Sequence, residues 1–213
     1  MHPNISFKNI CIVSCGTLKP EIDKLRNDGF CDSENVFFTA PGLHEWPWEL
    51  EKQLPRQLEK AMARAEKIIV LYGERCFLDS KNPMRVTGAL IHEVCPQAIR
   101  INATTCFDML ADAEQREKLA EGNKVYWLTP GWIKHWNFIF KDWDEGKANE
   151  MFPGHDKAVV LDALGYFDNL MLESPEEILR ISDWMSLPLE SAAISLGRLK
   201  KLLGDAVEKV NAQ

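Results

Sequence analysis

The chain has 213 residues and a formal net charge of −7. It is long enough for one substantial core and too acidic for a general electrostatic grip on nucleic acid, which needs a basic face. Hydrophobic residues at 46% and charged residues at 27% give the balance of a globular protein, and no apolar run reaches the roughly 20 residues that cross a bilayer. The opening Met-His-Pro-Asn-Ile-Ser-Phe-Lys lacks the basic start and apolar stretch of a secretory signal, so a cytoplasmic location with no membrane partner is expected.

Taken in chain order, six short runs rich in Val, Ile or aromatics read as buried strands, each closed by a turn signal. They are Ile10–Val13, Val36–Thr39, Ile68–Tyr72, Ile99–Ile101, Val125–Leu128 and Ala158–Leu161. Helical spacing fills the intervals at Trp48–Ala65, Met84–Val94 and Phe107–Ala120, and Pro55 must begin, end or kink the first of these. Trp132, Trp136, Phe140 and Trp143 fall on one face of a further helix. Ser174-Pro175-Glu176-Glu177 is a helix start, with a hydroxyl at the cap, proline in the first turn and acids behind it. A C-terminal helix is expected over residues 189–213, its core about Leu189–Val210. The alternation implies one Rossmann-like α/β domain spanning 1–213, a mostly parallel sheet with helices on both faces.

In that architecture the loops after successive parallel strands gather along one sheet edge, where ligands bind. Three cysteines sit in such loops: Cys15 after the first strand, Cys76 after the third and Cys106 after the fourth. Thiolate sulfur is a soft ligand for zinc, copper(I) or iron–sulfur clusters and is also a nucleophile. The competing reading treats each as a small buried hydrophobe. Cys11 alternates into the sheet and reads as core, whereas Cys31 and Cys95 read as surface thiols. With no C-x-x-C pair, any metal site must be assembled by the fold.

His44, in Pro41-Gly42-Leu43-His44, suits a fourth ligand or a general base on the same edge. His135 follows Thr129-Pro130-Gly131-Trp132 and is a weaker candidate for the same crevice, with His2, His92 and His155 behind it. Of the aromatic face, Trp132 is the residue expected to look into the cleft, as part of a ligand-binding wall together with His135. Tyr72, Glu74, Arg75 and Asp162 flank the edge. No G-x-G-x-x-G, P-loop or G-x-S-x-G motif occurs, so dinucleotide, nucleotide and serine-hydrolase readings lack support.

The ordered set of Cys15-Gly16-Thr17-Leu18 with Glu21, Gly42-Leu43-His44, Tyr72-Gly73 with Cys76, Cys106, Leu128-Thr129-Pro130-Gly131-Trp132-Ile133 and Leu161-Asp162-Ala163-Leu164-Gly165 resembles the uncharacterised domain-of-unknown-function family number sixteen thirty-eight. The resemblance spans about Ile10 to Leu187. It implies metal ligation by Cys15, Cys76 and Cys106, a place for His44 beside them, and a setting near corrinoid-dependent methyltransferases. Two departures stand out: Tyr72-Gly73-Glu74-Arg75-Cys76 carries one residue more than the family's Tyr-Gly-x-Cys, and Thr104-Thr105-Cys106 replaces His-Asp-Cys. The second removes a candidate acid and base while keeping the sulfur, which favours a ligand role for Cys106.

The expectation is a metal-thiolate protein, zinc first, acting in or alongside corrinoid-dependent one-carbon transfer. The enzyme version is a zinc-dependent methyl-transfer component that takes a small-molecule ligand and uses His44 as the proton-moving group. The alternatives are a non-catalytic partner of a corrinoid protein or methyltransferase, with a structural metal and an exposed Trp-rich helix, and an iron–sulfur redox protein.

Overall fold

The computed structural model describes residues 5–213; His2 lies outside them. In chain order the elements are β1 Ile10–Ser14, α1 Lys19–Asn27, β2 Val36–Phe38, α2 Pro47–Met62, β3 Lys67–Leu71, α3 Thr87–Val94, β4 Ile99–Arg100, α4 Ala113–Ala120, β5 Val125–Leu128, α5 Pro130–Lys134, α6 Trp136–Ile139, α7 Glu145–Met151, β6 Lys157–Asp162, α8 Tyr166–Glu173, α9 Pro175–Met185, β7 Leu189–Ala193 and α10 Gly197–Asn211. All six expected strands form, and every pairing between the named strands is parallel.

The strands divide into two sheets rather than one: four in the order β2-β1-β3-β4 and three in the order β5-β6-β7. Strand alternation builds the layers. In the first sheet Ile10, Ile12, Ile69 and Leu71 face a central cluster with α1 and α10. Cys11, Val13, Ile68 and Val70 face the opposite side, against α2 and α3. In the second sheet Leu161 reaches that same central cluster, and Trp127 and Ala192 pack against it. Leu128, Ala158 and Val160 face the helices from α5 to α9. Two sheets thus share a middle layer of helices, and the central strands β1, β3 and β6 are covered on both faces, which is why their runs are almost uninterrupted apolar residues.

Several expectations change for local reasons. Leu189-Glu190-Ser191-Ala192-Ala193 tolerates a helix, but it forms β7 because its backbone pairs along all of Ala158–Asp162; the C-terminal helix begins only at Gly197, whose amide donates to the Ser195 hydroxyl. Phe107–Ala120 splits into a short 3-10 turn and α4, because Asp112 and Gln115 make a capping box that starts a new helix. Pro55 lies inside α2, which continues past it; Leu50, Leu54, Leu58 and Ala61 are buried along one stripe and hold the helix to the sheet despite the lost backbone bond. The aromatic helix is broken at His135 into α5 and α6, with Trp132, Trp136, Phe140 and Trp143 all buried. The Trp-rich segment is therefore core, and the exposed interface imagined for it is not present. Cys31 and Cys95 are buried too, not surface thiols. No helix of the described residues is long and apolar enough to cross a membrane.

Candidate functional site

The register brings Ser14, Phe38 and Leu71 level at the carboxyl edge of the first sheet, so the loops that follow start together. Cys15 opens the first loop and is buried. Its sulfur accepts a hydrogen bond from the Thr17 hydroxyl at 3.1 Å. Gly16 passes so close to the next loop that an added Cβ would stand 2.7 Å from the Thr39 carbonyl oxygen; here glycine is needed for space, not for its φ angle.

Tyr72 ends the β3 segment with its ring fully buried and its hydroxyl bonded to that of Thr39. Burial raises the phenol well above its ordinary range, and the neighbouring Cys15 adds to the effect. The loop after β3 is then fastened to the loop after β4: the Glu74 amide donates to the Ala103 carbonyl at 2.9 Å and the Arg75 amide to that of Thr104 at 3.1 Å. Gly73 lies against the Thr104 backbone with no room for a side chain. This lacing carries Cys76 toward Cys106.

The three thiols are electrostatic neighbours. Burial lifts Cys76 well above an ordinary thiol, with the charges of Cys106 and Cys15 adding to the effect, while the Gly73 amide and Arg100 oppose it. Burial and the charge of Cys15 push Cys106 up to about 12, opposed by the Trp132 indole N–H and the Phe107 amide. Among the described residues, no three His, Cys, Asp or Glu side chains are gathered tightly enough to hold a metal ion as they stand. The sulfurs are near one another without forming a closed ligand set.

The second sheet supplies the cover. Gly131, in the first turn of α5, packs directly on the Thr17 backbone, which sets Trp132 over the thiols. The His44 ring lies 5.0 Å from that of Trp132. The β2–α2 loop carrying His44 is tied across the seam by the Trp143 indole donating to Glu45 at 3.2 Å and the Trp46 indole donating to Asp142 at 3.1 Å. A cavity of about 320 Å³ opens beside this cluster, with His44, Cys76, Cys106, Tyr126, Trp132 and His155 among its lining residues. Packing of one side of its ring against the cavity wall holds the His44 imidazole below its usual pKa, with Glu45 opposing, while the rest of the residue faces solvent.

The structure thus brings together Cys15, Cys76, Cys106, His44 and Trp132. It leaves His135 at the break between α5 and α6, away from the residues that line the cavity. His155, ranked low from sequence, lines it instead, because the turn before β6 folds back beside β5. Cys11, Cys31 and Cys95 stay in the packing.

Glu21, in the first turn of α1, is the other departure. It is fully buried, neither of its oxygens has a hydrogen-bond partner in the protein, and burial, with Asp162 adding to it, pushes its carboxyl up to about 8. The sequence places Glu21 after Cys15 but gives no sign that it would be sealed, because the charged groups that feel it, Asp162 and Cys106, come from distant segments.

Fold and site together define an α/β protein of parallel sheets with a thiol-lined cleft at their carboxyl edge. The chain belongs to the family described as "Protein of unknown function (DUF1638)", whose model matches residues 38–203. That match takes in His44, Cys76, Cys106 and Trp132, while Cys15 and Glu21 precede it. No curated protein and no solved structure matches the chain.

Proposed function

We propose that the chain is a zinc-thiolate protein in which Cys15, Cys76 and Cys106 hold the metal and the adjoining cavity receives a small thiol. The observation that carries this reading is the convergence of three free thiols from separate loops, close enough that Cys15 raises the pKa of both Cys76 and Cys106, beside a cavity that Cys76 and Cys106 line. Without a metal, burial and mutual repulsion favour the protonated thiols of Cys76 and Cys106; a bound cation would offset that repulsion and hold the sulfurs as thiolates. The donor set therefore fits a soft divalent ion, and side-chain movement would close the cluster around it.

Bound zinc would supply a soft Lewis acid that binds and deprotonates an incoming thiol. The chain's own residues do the rest. Trp132 and Tyr126 exclude water from the cavity. His44, kept neutral by its surroundings, accepts the thiol proton at a ring nitrogen. The setting in corrinoid-dependent one-carbon transfer, with a corrinoid protein or methyltransferase as partner, rests on the family resemblance.

The test is elemental analysis with a visible spectrum on untagged protein purified without air or chelator. About one zinc per chain and no colour is the expected result. Cys15→Ser, Cys76→Ser and Cys106→Ser should each lower bound metal, and Cys11→Ser should not. Iron with sulfide and a brown colour would transfer the site to redox chemistry. Full metal retention in all three site variants would sink the assignment.

A further inference from the structure

The cavity has one wall unlike the others, the strand β5. Among the described residues it is the outermost strand of its sheet and pairs only with β6, and it contributes Val125, Tyr126 and Trp127 to the cavity lining. The direction of its backbone groups follows from the ladder. The Ala158 amide donates to the Pro188 carbonyl, and the Asp162 carbonyl accepts from Ile194, both on the β7 side of β6. Ala158, Val160 and Asp162 therefore turn their backbone groups toward β7, and Lys157, Val159 and Leu161 turn theirs toward β5.

In the parallel register, which sets Trp127 opposite Val159, the bonds across to β6 are made by Tyr126 and Leu128. The N–H and C=O of Val125 and Trp127 then point away from β6, along the free edge. Among the described residues neither Val125 nor Trp127 has another backbone or side-chain partner for these groups. A strand edge presents one donor and one acceptor side by side at each outward residue, which a single secondary amide can satisfy together with its neighbouring carbonyl.

We infer that the ligand of this cavity is an amide-bearing, peptide-like small thiol, recognised through the free N–H and C=O of Trp127. The part of this inference that concerns the thiol rests on the metal-thiolate reading above; the part that concerns the amide rests on the strand edge alone. A residue of the ligand set opposite Trp127 exchanges both bonds with it. Its chain then lies about 4.8 Å from β5, inside the cavity that Cys76, Cys106 and Trp132 also line.

The experiment measures binding of N-acetylcysteine N′-methylamide by calorimetry to the full-length protein after its zinc content has been determined. The comparison ligand replaces the acetamido N–H by an ester oxygen, which deletes one donor and keeps the shape. A loss of up to about tenfold in affinity is expected for the ester, together with a ligand-induced shift of the Trp127 backbone amide resonance. Equal binding of amide and ester, or an unmoved Trp127 amide, overturns the inference. Such a result leaves the metal reading standing if 2-mercaptoethanol still binds the zinc-loaded protein. If the protein carries no zinc, the metal reading fails, and N-acetylalanine N′-methylamide against its own ester decides the amide question. Discrimination by the same Trp127 amide supports the strand-edge part, and its absence overturns it.

Discussion

Replacing Glu21 by Gln isolates the energetics of the sealed carboxyl. In the folded protein this group titrates at about 8, against 4.5 for the ordinary side chain. Between those values the folded chain keeps a proton that the unfolded chain has released. Stability must then fall as pH rises, because proton release favours the unfolded state. At 1.36 kcal/mol per pH unit, the full loss is about 5 kcal/mol, and the part falling between pH 5 and pH 8 is roughly 3–4 kcal/mol. Glutamine keeps the size and has no charge to acquire, so the variant should lack this slope. Urea unfolding of the reduced, metal-free protein and of Glu21→Gln at pH 5, 6, 7 and 8 reads the difference directly. The wild type should lose ground steadily against the variant across that range. Parallel profiles, within about 0.5 kcal/mol of a constant offset, would mean that Glu21 is ionised or paired in solution and would refute the argument.

Other consequences can be checked separately. The His44 imidazole should titrate by nuclear magnetic resonance below its ordinary 6.5, and Glu45→Gln should lower it further by removing the charge that opposes burial; a midpoint above 6.5 would contradict the described environment. Gly131→Ala should destabilise the protein by about 1–3 kcal/mol, since the new methyl meets the Thr17 backbone. Alanine is otherwise the better helix former, so a loss in thermal unfolding isolates the contact. Gly154→Ala, with nothing within 4 Å, is its control.

Much of this fold was legible in the sequence because buried parallel strands write themselves as short apolar runs. All six expected runs are strands, and the start of α9 at Ser174-Pro175 falls where the capping pattern places it. The seventh strand was not legible, since Leu189–Ala193 has no strand-like composition and is held only by pairing with β6. The split into two sheets was hidden for a similar reason: periodicity reports that a strand is covered on both faces and is silent about which strand lies beside it. At the site, Cys15, Cys76, Cys106, His44 and Trp132 could be named because each follows a strand. His155 and the sealed state of Glu21 depend on contacts between distant segments and leave no local mark. His135, the weaker candidate from sequence, sits at the break between α5 and α6 and is not among the residues lining the cavity, whereas Trp132 is.

The three sulfurs all issue from the first sheet, whereas Tyr126, Trp127, Trp132 and His155, which border the cavity beside them, all belong to the second half of the chain. The cavity is thereby walled from both halves of the chain, with His44, Arg75 and Phe107 facing Val125, Tyr126 and Trp127 across it. Exchanging the segment between Val125 and His155 for that of a relative would therefore redraw one wall of the cavity and leave the positions of the three sulfurs to the first sheet.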